Sequence, residues 1–440
     1  MRNRVIISIL AIMTMTMTAC TNTGIEENIS GKESTAAPSQ TEASITQVPS
    51  QDTPDELPAD TDVQQSHDLS GATSLTVSDG EDINIDKEGT YVLSGSAKNA
   101  SVCVDAADED KVSLVLDGLS ISNDSKPCIY VKNADEVLVT ISSENDLSVT
   151  GTFESDGDTK TDAVIFTKDD LVLGGTGSLA ISSSDNGIAG KDNIKATGSV
   201  INIECEGSAI EAKESITIEK GEISIPKCYD GLHAEDDDDD TTGYIYILGG
   251  SLTIEAEDDA IHATTVVKID DGKITLTGGE GIEGTQISMN GGELTINASD
   301  DGINAGRKSS SLTPLYEQNG GTVTITMAAG DTDGVDSNGD ITINDGTISI
   351  TGQSTFDYDG TAQYNGGTII ENGKETNTIT NQMMGGPGGR GNRGEMGDPG
   401  EMGAPGEMGA PREMDGFERP ERPAGEDGQF KMRKSDKMTN

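Results

Sequence analysis

One short phrase recurs seven times between residues 185 and 339: an acidic or polar residue, then Gly or Ala, then an apolar residue, then a polar one. The apolar residues lie 22, 22, 29, 21, 21 and 32 positions apart. A period near 22 with two insertions is typical of a solenoid, in which each repeat forms one coil. The apolar positions are Ile188, Ile210, Leu232, Ile261, Ile282, Ile303 and Val335.

Two short alternating runs separate successive phrases, as at 215–218 and 221–225, where Ile falls at every second position. This period of two is typical of a half-buried strand. Three short strands in about 22 residues predict an all-β, single-stranded parallel β-helix of about a dozen coils. A β-sandwich would not repeat one acidic phrase in phase, and the Gly-Gly-x-Gly-x-Asp repeat of a calcium β-roll is missing.

The two ends differ in composition from the repeat and divide the chain. Residues 1–19 predict a signal peptide, and residues 20–71, rich in Ser, Thr, Pro and acidic residues, predict a disordered tether. The β-helix is expected over 72–375. The Gly-, Pro- and Met-rich segment 376–440 predicts a disordered tail, although eight collagen-like triplets leave trimerisation open. We otherwise expect a monomer.

The signal peptide ends at Thr18-Ala19-Cys20, which resembles the bacterial lipoprotein signal. That resemblance implies lipidation of Cys20 and a protein held on the extracellular face of the cell membrane, in contact with the membrane only through its lipid. An ordinary secretory signal is the alternative. Either reading predicts export.

The chain carries a formal net charge of −49. Such a charge excludes binding to nucleic acid or to an anionic membrane surface unless a cation bridges the two. The chain is therefore a candidate cation binder.

Stacked coils would place the acidic residues of the phrase in one column. Carboxylates about 4.8 Å apart repel by about 3.5 kcal/mol at an effective dielectric constant near 20. Calcium, which takes oxygen ligands, would relieve this repulsion, so we predict Ca²⁺ on the ladder; a solvated acidic face is the alternative. The column contains Asp185, Asp230, Asp259, Glu280, Asp301 and Asp333, with Asp258, Asp300, Asp331 and Asp336 as further candidate ligands.

A second column follows the apolar residue and should point outward. It reads Ala189, Glu211, His233, His262, Glu283, Asn304 and Asp336. We predict hydrogen bonding to sugar, with a transition-metal site and an ordinary surface left open. The predicted carbohydrate-binding residues are His233, His262, Glu283, Asn304 and Tyr229.

The two insertions in the repeat are polar. One contains five consecutive Asp residues, 236–240, and the other runs from Arg307 to about Gln318. Repeat proteins commonly carry insertions on one face, so we expect both at the same edge of the solenoid.

Four cysteines lie in the repeat region, in pairs about one coil apart. They are Cys103 and Cys128, and Cys205 and Cys228. Adjacent coils would bring each pair within disulfide range, but stacked free thiols are equally compatible with this spacing.

The phrases Asp-Gly-Leu-His-Ala, Asp-Ala-Ile-His-Ala and Asp-Gly-Ile-Asn-Ala, with Gly-Gly-Ser-Leu-Thr-Ile between them, resemble a known family. They resemble bacterial carbohydrate-binding β-helix lipoproteins of the clostridial cellulose- and acidic-sugar-binding type, which are similar to calcium-dependent pectate lyases. The resemblance covers about residues 74–370. It implies a right-handed parallel β-helix with bound calcium that binds polygalacturonate or cellulose without a demonstrated reaction. Ser208 and Glu280 depart from the phrase.

The chain has no Trp, so a flat aromatic platform for cellulose is hard to build, and we favour acidic polysaccharide as the ligand. A calcium-dependent polysaccharide lyase acting by β-elimination is the first alternative, and a surface adhesin is the second. A lyase needs a Lys or Arg base, for which Arg307, Lys191 and Lys213 are candidates. We favour a binding protein over an enzyme.

Overall fold

Every helix or strand that the computed structural model contains in its described residues, 69–330 and 332–382, is a β-strand. The strands pair in parallel with partners about one coil away, which confirms the predicted parallel β-helix. Three strands form one coil, as in Ile210–Ala212, Ser215–Ile218 and Glu222–Cys228. Within the same residues no helix is long and apolar enough to cross a bilayer.

The first strand of each coil belongs to ladder 1, a sheet of twelve strands within the described residues. These strands are Ile83–Ile85, Val102–Asp105, Ile129–Asn133, Ala163–Thr167, Asn186–Gly190, Ile210–Ala212, Leu232–Ala234, Asp259–Ala263, Glu280–Gly284, Ile303–Ala305, Asp333–Ser337 and Ser354–Tyr358.

The second strand of each coil belongs to ladder 2 and the third to ladder 3. Ladder 2 contains Glu136–Ile141, Asp170–Gly175, Asn193–Ala196, Ser215–Ile218, Tyr244–Ile247, Val266–Ile269, Gln286–Met289, Leu315–Gln318, Asp340–Ile343 and Ala362–Tyr364. Ladder 3 contains Glu144–Val149, Ser178–Ser183, Val200–Cys205, Glu222–Cys228, Ser251–Ala256, Lys273–Gly278, Glu293–Ala298, Thr322–Met327, Thr347–Thr351 and Thr368–Glu371.

Two long strands near the start of the solenoid, Gly89–Lys98 and Lys111–Asn123, join ladders 2 and 3. The first half of Lys111–Asn123 pairs with a strand of ladder 2 and its second half with a strand of ladder 3. Thr73–Thr76 pairs with Gly89–Lys98, and Lys374–Thr376 adds an antiparallel strand at the other end.

The seven repeated phrases stack in the predicted register. Ile188, Ile210 and Leu232 are partners on successive coils, and the series continues without a break to Val335. These apolar side chains are buried in one interior cluster. Because every coil buries its apolar residues against the next, the interior grows with the number of coils.

The small residue of the phrase is required by a close approach between coils. A Cβ atom at Gly231 would lie 2.3 Å from the carbonyl oxygen of Ala260 and 2.6 Å from Cγ2 of Ile254. Even a methyl group is too close to its neighbours at Gly231, and larger side chains have still less space, which explains why no copy has a residue larger than Ala before its apolar residue.

Several predicted features lie outside the described residues. These are the signal peptide with Cys20, most of the tether, Asp331, and the tail from residue 383 onward.

Candidate functional site

The residue after each buried apolar residue lies on the outer side of ladder 1, and these residues form the outer column. Glu211, His233 and His262 are partners on adjacent coils. The column continues through Glu283, Asn304 and Asp336, as the repeat predicts. In the other direction it runs through Ala189, Phe166 and Tyr130 to Cys103.

His233 and His262 stack face to face, with ring centroids 4.6 Å apart and planes 5° from parallel. An Asp three residues earlier holds Nδ1 of each ring: Asp230 Oδ2 lies 3.0 Å from His233 and Asp259 Oδ2 lies 2.8 Å from His262. Glu235 Oε2 is 3.1 Å from Nε2 of His233. Carboxylates therefore hold both nitrogens of His233, whereas at His262 they hold only Nδ1.

The flanking carboxylates favour the charged form of both imidazoles. Burial lowers the pKa of His233, but the hydrogen bonds to Asp230 and Glu235 more than compensate and raise it to about 10. The pKa of His262 rises in the same way to about 9 through Asp259 and Glu283.

The acidic column has a structural role that the sequence did not predict. The backbone N–H of Asp259 donates to Asp230 Oδ1 at 3.2 Å, and the N–H of Asp333 donates to Asp301 Oδ1 at 3.0 Å. Each carboxylate thus fastens its coil to the next. Asp230 and Asp259 also hold the histidines, so their carboxylate oxygens already take part in hydrogen bonds within the protein.

Asp185 stands one column away from its predicted place. Ile188 pairs with Ile210, and the Oδ1 atom of Asn186, not of Asp185, accepts the N–H of Ser208. Counting back from the apolar residue therefore places Asn186 in the column of Asp230. Asp185 aligns instead with Asp258 and Asp300, both of which are exposed.

Carboxylates are crowded at the C-terminal end of the site. Burial, with Asp336 and Asp333 nearby, raises the pKa of Asp301 to about 7. Burial and the neighbouring Asp357 raise the pKa of Asp336 to about 6. Burial and the charges of Glu283 and Asp259 raise the pKa of Glu280 to about 8. A bound cation would relieve this crowding by the same electrostatic attraction that lowers a carboxylate pKa.

The predicted carbohydrate-binding residues differ in exposure. Tyr229 is 48% exposed, whereas His262 and Glu283 are buried. Glu283 forms an ion pair with Lys308 at 2.7 Å, and Asn304 donates to Glu280. Tyr229, His233 and Asn304 remain accessible to a sugar, while His262 and Glu283 lie between His233 and Asn304 in the outer column.

The two insertions meet, which confirms that they lie at the same edge. The backbone N–H of Ser310 donates to Asp240 Oδ2 at 2.8 Å across 70 residues. Asp236 in the first insertion also pairs with Lys213 at 2.7 Å. Together they border ladder 1 beside Glu235 and Lys308.

Four lysines occupy one position on four successive coils, and we call them the lysine ladder. Each lies three residues after the buried apolar residue of its coil, and backbone hydrogen bonds link the coils at this position. All four side chains are half-buried. They are Lys132, Lys168, Lys191 and Lys213. The repeated phrase does not predict this row because the upstream coils lack the phrase, although the spacing from Ile129 and Ile165 would have revealed it.

Each candidate lyase base has a partner in the structure. The hydrogen bond to Asp236 raises the pKa of Lys213, which favours its protonated form. Arg307 donates to the backbone oxygen of Asn338 and is 66% exposed. Lys191 Nζ lies 5.5 Å from the ring centroid of Phe166, in a cation–π contact.

All four cysteines of the repeat region are free thiols in the structure. Cys103 pairs in register with Tyr130 and not with Cys128, so the predicted stacking of this pair is wrong by two residues. Cys205 and Cys228 do lie on neighbouring strands, next to a bulge between the two coils. Both are buried.

Known proteins are similar to this chain in sequence. Residues 79–329 match the sequence profile of carbohydrate-binding domain-containing proteins, which is more than half of the chain. The chain belongs to this carbohydrate-binding domain family. A carbohydrate-binding domain-containing protein of Acetivibrio thermocellus is 28% identical over 215 residues, 48% of this chain and 75% of that protein.

A solved structure is also similar to this carbohydrate-binding domain. It is the polysaccharide lyase-like protein from C. thermocellum, solved as a gadolinium derivative. The sequences are 26% identical, the match covers 51% of this chain and 93% of that one, and the TM-score is 0.44.

The matched carbohydrate-binding region includes the lysine ladder, both histidines and both insertions. It ends before Asp333 and Asp336. Part of the crowded acidic cluster therefore lies beyond the family match.

Proposed function

We propose that this protein binds an acidic polysaccharide of the polygalacturonate type along the outer face of ladder 1. The lysine ladder is the observation that carries the proposal. On a chain with a net charge of −49, an anionic polymer is repelled unless it meets a local row of cations. A polymer of uronic acids presents one carboxylate per sugar, and a regular row of ammonium groups suits a regular row of anions.

The spacing of the row follows from the fold. Stacked strands lie about 4.8 Å apart, so successive lysines are offered at about that interval along the solenoid axis. Lys132 pairs with Asp156 at 2.8 Å and Lys213 with Asp236 at 2.7 Å, while Lys168 and Lys191 lie between them. The two middle lysines are therefore the principal contacts for sugar carboxylates.

Calcium is the second part of the proposal. At the other end of ladder 1 the crowded carboxylates of Asp301, Asp333 and Asp336 would share calcium with uronate carboxylates. The raised pKa values of Asp301 and Asp336 support this assignment, because they reflect burial first and the charges of neighbouring carboxylates second. On this proposal the lipid on Cys20 holds the domain at the cell surface, where such polymers are found.

The test is binding of the full chain to polygalacturonate and to its methyl-esterified, neutral form. We expect binding to the acidic polymer only, with strong weakening by salt. The triple variant Lys132→Gln, Lys168→Gln, Lys191→Gln should lose at least tenfold in affinity. A variant with the same charge change outside ladder 1, Lys268→Gln, Lys273→Gln, Lys374→Gln, should bind like the unmodified chain.

Equal binding to the neutral and acidic polymers, or equal losses in the two triple variants, would contradict the proposal. The same incubation tests the lyase alternative, since β-elimination yields unsaturated products that absorb in the ultraviolet. Binding without such products supports a binding protein, and their appearance would make it an enzyme.

A further inference from the structure

The geometry points to a site for one zinc-like divalent transition metal, formed by Nε2 of His233, Nε2 of His262 and the carboxylate of Glu235. These three groups offer ligand atoms that all lie within 4.8 Å of one another. The inference is independent of polysaccharide binding and of the proposed calcium ions.

The orientation of the rings is the first argument. Asp230 and Asp259 hold the Nδ1 atoms at 3.0 and 2.8 Å. Histidine ligands of zinc commonly donate Nδ1–H to a carboxylate, which fixes the tautomer and leaves the Nε2 lone pair for the metal. Both rings have this arrangement, and their Nε2 atoms both lie near Glu235.

An unpartnered nitrogen is the second, independent argument. Nε2 of His262 is buried and has no hydrogen-bond partner within the described residues, and its side chain is only 9% exposed. A buried polar atom without a partner is costly, and such atoms are rare in native proteins. The nearest carboxylate oxygen, Glu235 Oε2, lies 3.9 Å away, too far for a hydrogen bond.

The distances are close to those of a metal centre. Zinc at 2.0–2.1 Å from each ligand needs ligand atoms about 3.3 Å apart in a tetrahedron. Glu235 Oε2 is 3.1 Å from Nε2 of His233 and 3.9 Å from Nε2 of His262. Because the two rings lie in nearly parallel planes, they must rotate about their Cβ–Cγ bonds for both Nε2 lone pairs to point at one ion. The ion would replace the proton between His233 and Glu235.

The ligand set selects against calcium. Two imidazole nitrogens and one carboxylate suit zinc or cobalt, whereas calcium prefers oxygen ligands. A second arrangement through Asp259, His262 and Glu283 is disfavoured because Lys308 lies 2.7 Å from Glu283 and already supplies a positive charge there. His233 and Glu235, the two more exposed ligands, would leave the remaining coordination positions open to solvent.

The probe is Co²⁺ added to the metal-free full chain, followed by visible absorption and by competition with Zn²⁺ and Ca²⁺. We expect one Co²⁺ per chain with the intense absorption of a four-coordinate centre, displaced by Zn²⁺ but not by Ca²⁺. His262→Gln and Glu235→Gln should each weaken binding at least 100-fold. Glu235 is 40% exposed, so its replacement leaves the interior unchanged. If His262→Gln fails to fold, Glu235→Gln still tests the site.

Two controls match these variants. His67→Gln removes the third histidine of the chain, and Asp237→Asn removes an exposed acidic group from the same insertion as Glu235. Both should bind Co²⁺ like the unmodified chain. The inference fails if the absorption remains that of hydrated Co²⁺, if Ca²⁺ displaces Co²⁺, or if Glu235→Gln binds as tightly as Asp237→Asn. Because no polysaccharide is present, this result is separate from the test of the proposed function.

Discussion

The backbone N–H of Ser310 donates to the carboxylate of Asp240 at 2.8 Å, which links the two insertions of the repeat across 70 residues. Hydrogen bonds from Ser310 also lower the pKa of Asp240. Lys308, two residues earlier in the second insertion, forms an ion pair with Glu283, the neighbour of His262 in the outer column. The border of the candidate site is thus one connected structure and not two separate loops.

Replacing Asp240 by Ala should loosen that border. The N–H of Ser310 loses its acceptor, so its hydrogen exchange should accelerate at least tenfold, while amides of ladder 3 keep their protection. Hydrogen–deuterium exchange followed by mass spectrometry measures both. Asp237→Ala, an exposed neighbour in the same insertion, is the control and should leave Ser310 unchanged. Equal exchange in the two variants would show that the contact does not hold the loop.

A methyl group at position 231 should destabilise the solenoid. The Cβ atom of Gly231→Ala would lie 2.3 Å from the Ala260 carbonyl oxygen, so adjacent coils must shift apart. We expect a loss of about 1–3 kcal/mol in the free energy of unfolding, the usual cost of overpacking. Chemical denaturation measures it. At Gly71 a Cβ meets nothing within 4 Å, so Gly71→Ala should be neutral.

The sequence predicted the fold and its register because both depend on local patterns. Alternating Ile and Val residues form strands, and a constant phrase can stack only on itself. Ile188, Ile210 and Leu232 therefore lie in register as predicted. Asp185 was misplaced because the phrase offers two polar residues in succession, and only the pairing of strands decides which one enters the column.

The candidate site was predictable only in outline. The order of the outer column follows from counting, but the stacking of His233 on His262 depends on side-chain torsions that no pattern encodes. The dual role of Asp230, which accepts a backbone N–H and also holds an imidazole, is likewise a three-dimensional property. The lysine ladder was predictable from the sequence, because aligning the upstream coils with the repeated phrases places the four lysines at one position.

The buried thiols should resist alkylation in the folded protein. Burial raises the pKa of Cys128 and of Cys205 to about 12, so the reactive thiolate is scarce at pH 8. Cys103 is less buried and should react first. Iodoacetamide labelling with peptide mass spectrometry, run with and without denaturant, gives the rate at each cysteine. Labelling of native Cys128 at the denatured rate would contradict the burial.

Calcium should stabilise the protein through the crowded carboxylates. A ligand present at 100 times its dissociation constant adds about 2.7 kcal/mol to the stability of the folded state. We expect calcium to raise the melting temperature and a chelator to reverse the rise. The double variant Asp301→Asn, Asp336→Asn should lose most of the effect. Asp146→Asn, an exposed change on ladder 3, should retain it, and a rise of equal size in all three proteins would contradict this assignment.

Glu280 should make the calcium-free protein less stable as the pH rises. Its pKa is about 8 in the folded protein, against 4.5 for an ordinary Glu, because of burial and the nearby charges of Glu283 and Asp259. A raised carboxyl pKa gives stability that is fully present below pH 4.5 and is lost as the pH rises through 8. Glu280→Gln keeps an oxygen that can accept from Asn304 but cannot ionise.

Between pH 5 and pH 8 the free energy of unfolding of the unmodified chain should therefore fall by about 1–2 kcal/mol more than that of Glu280→Gln. Solvent screening of the partly exposed carboxyl group keeps this difference small. Urea denaturation in the presence of a chelator at both pH values measures the difference. Glu293→Gln, an exposed change on ladder 3, should follow the unmodified chain. Parallel pH profiles for the unmodified chain and Glu280→Gln would mean that Glu280 is already ionised at pH 5, and that its neighbours repel it less than their positions imply.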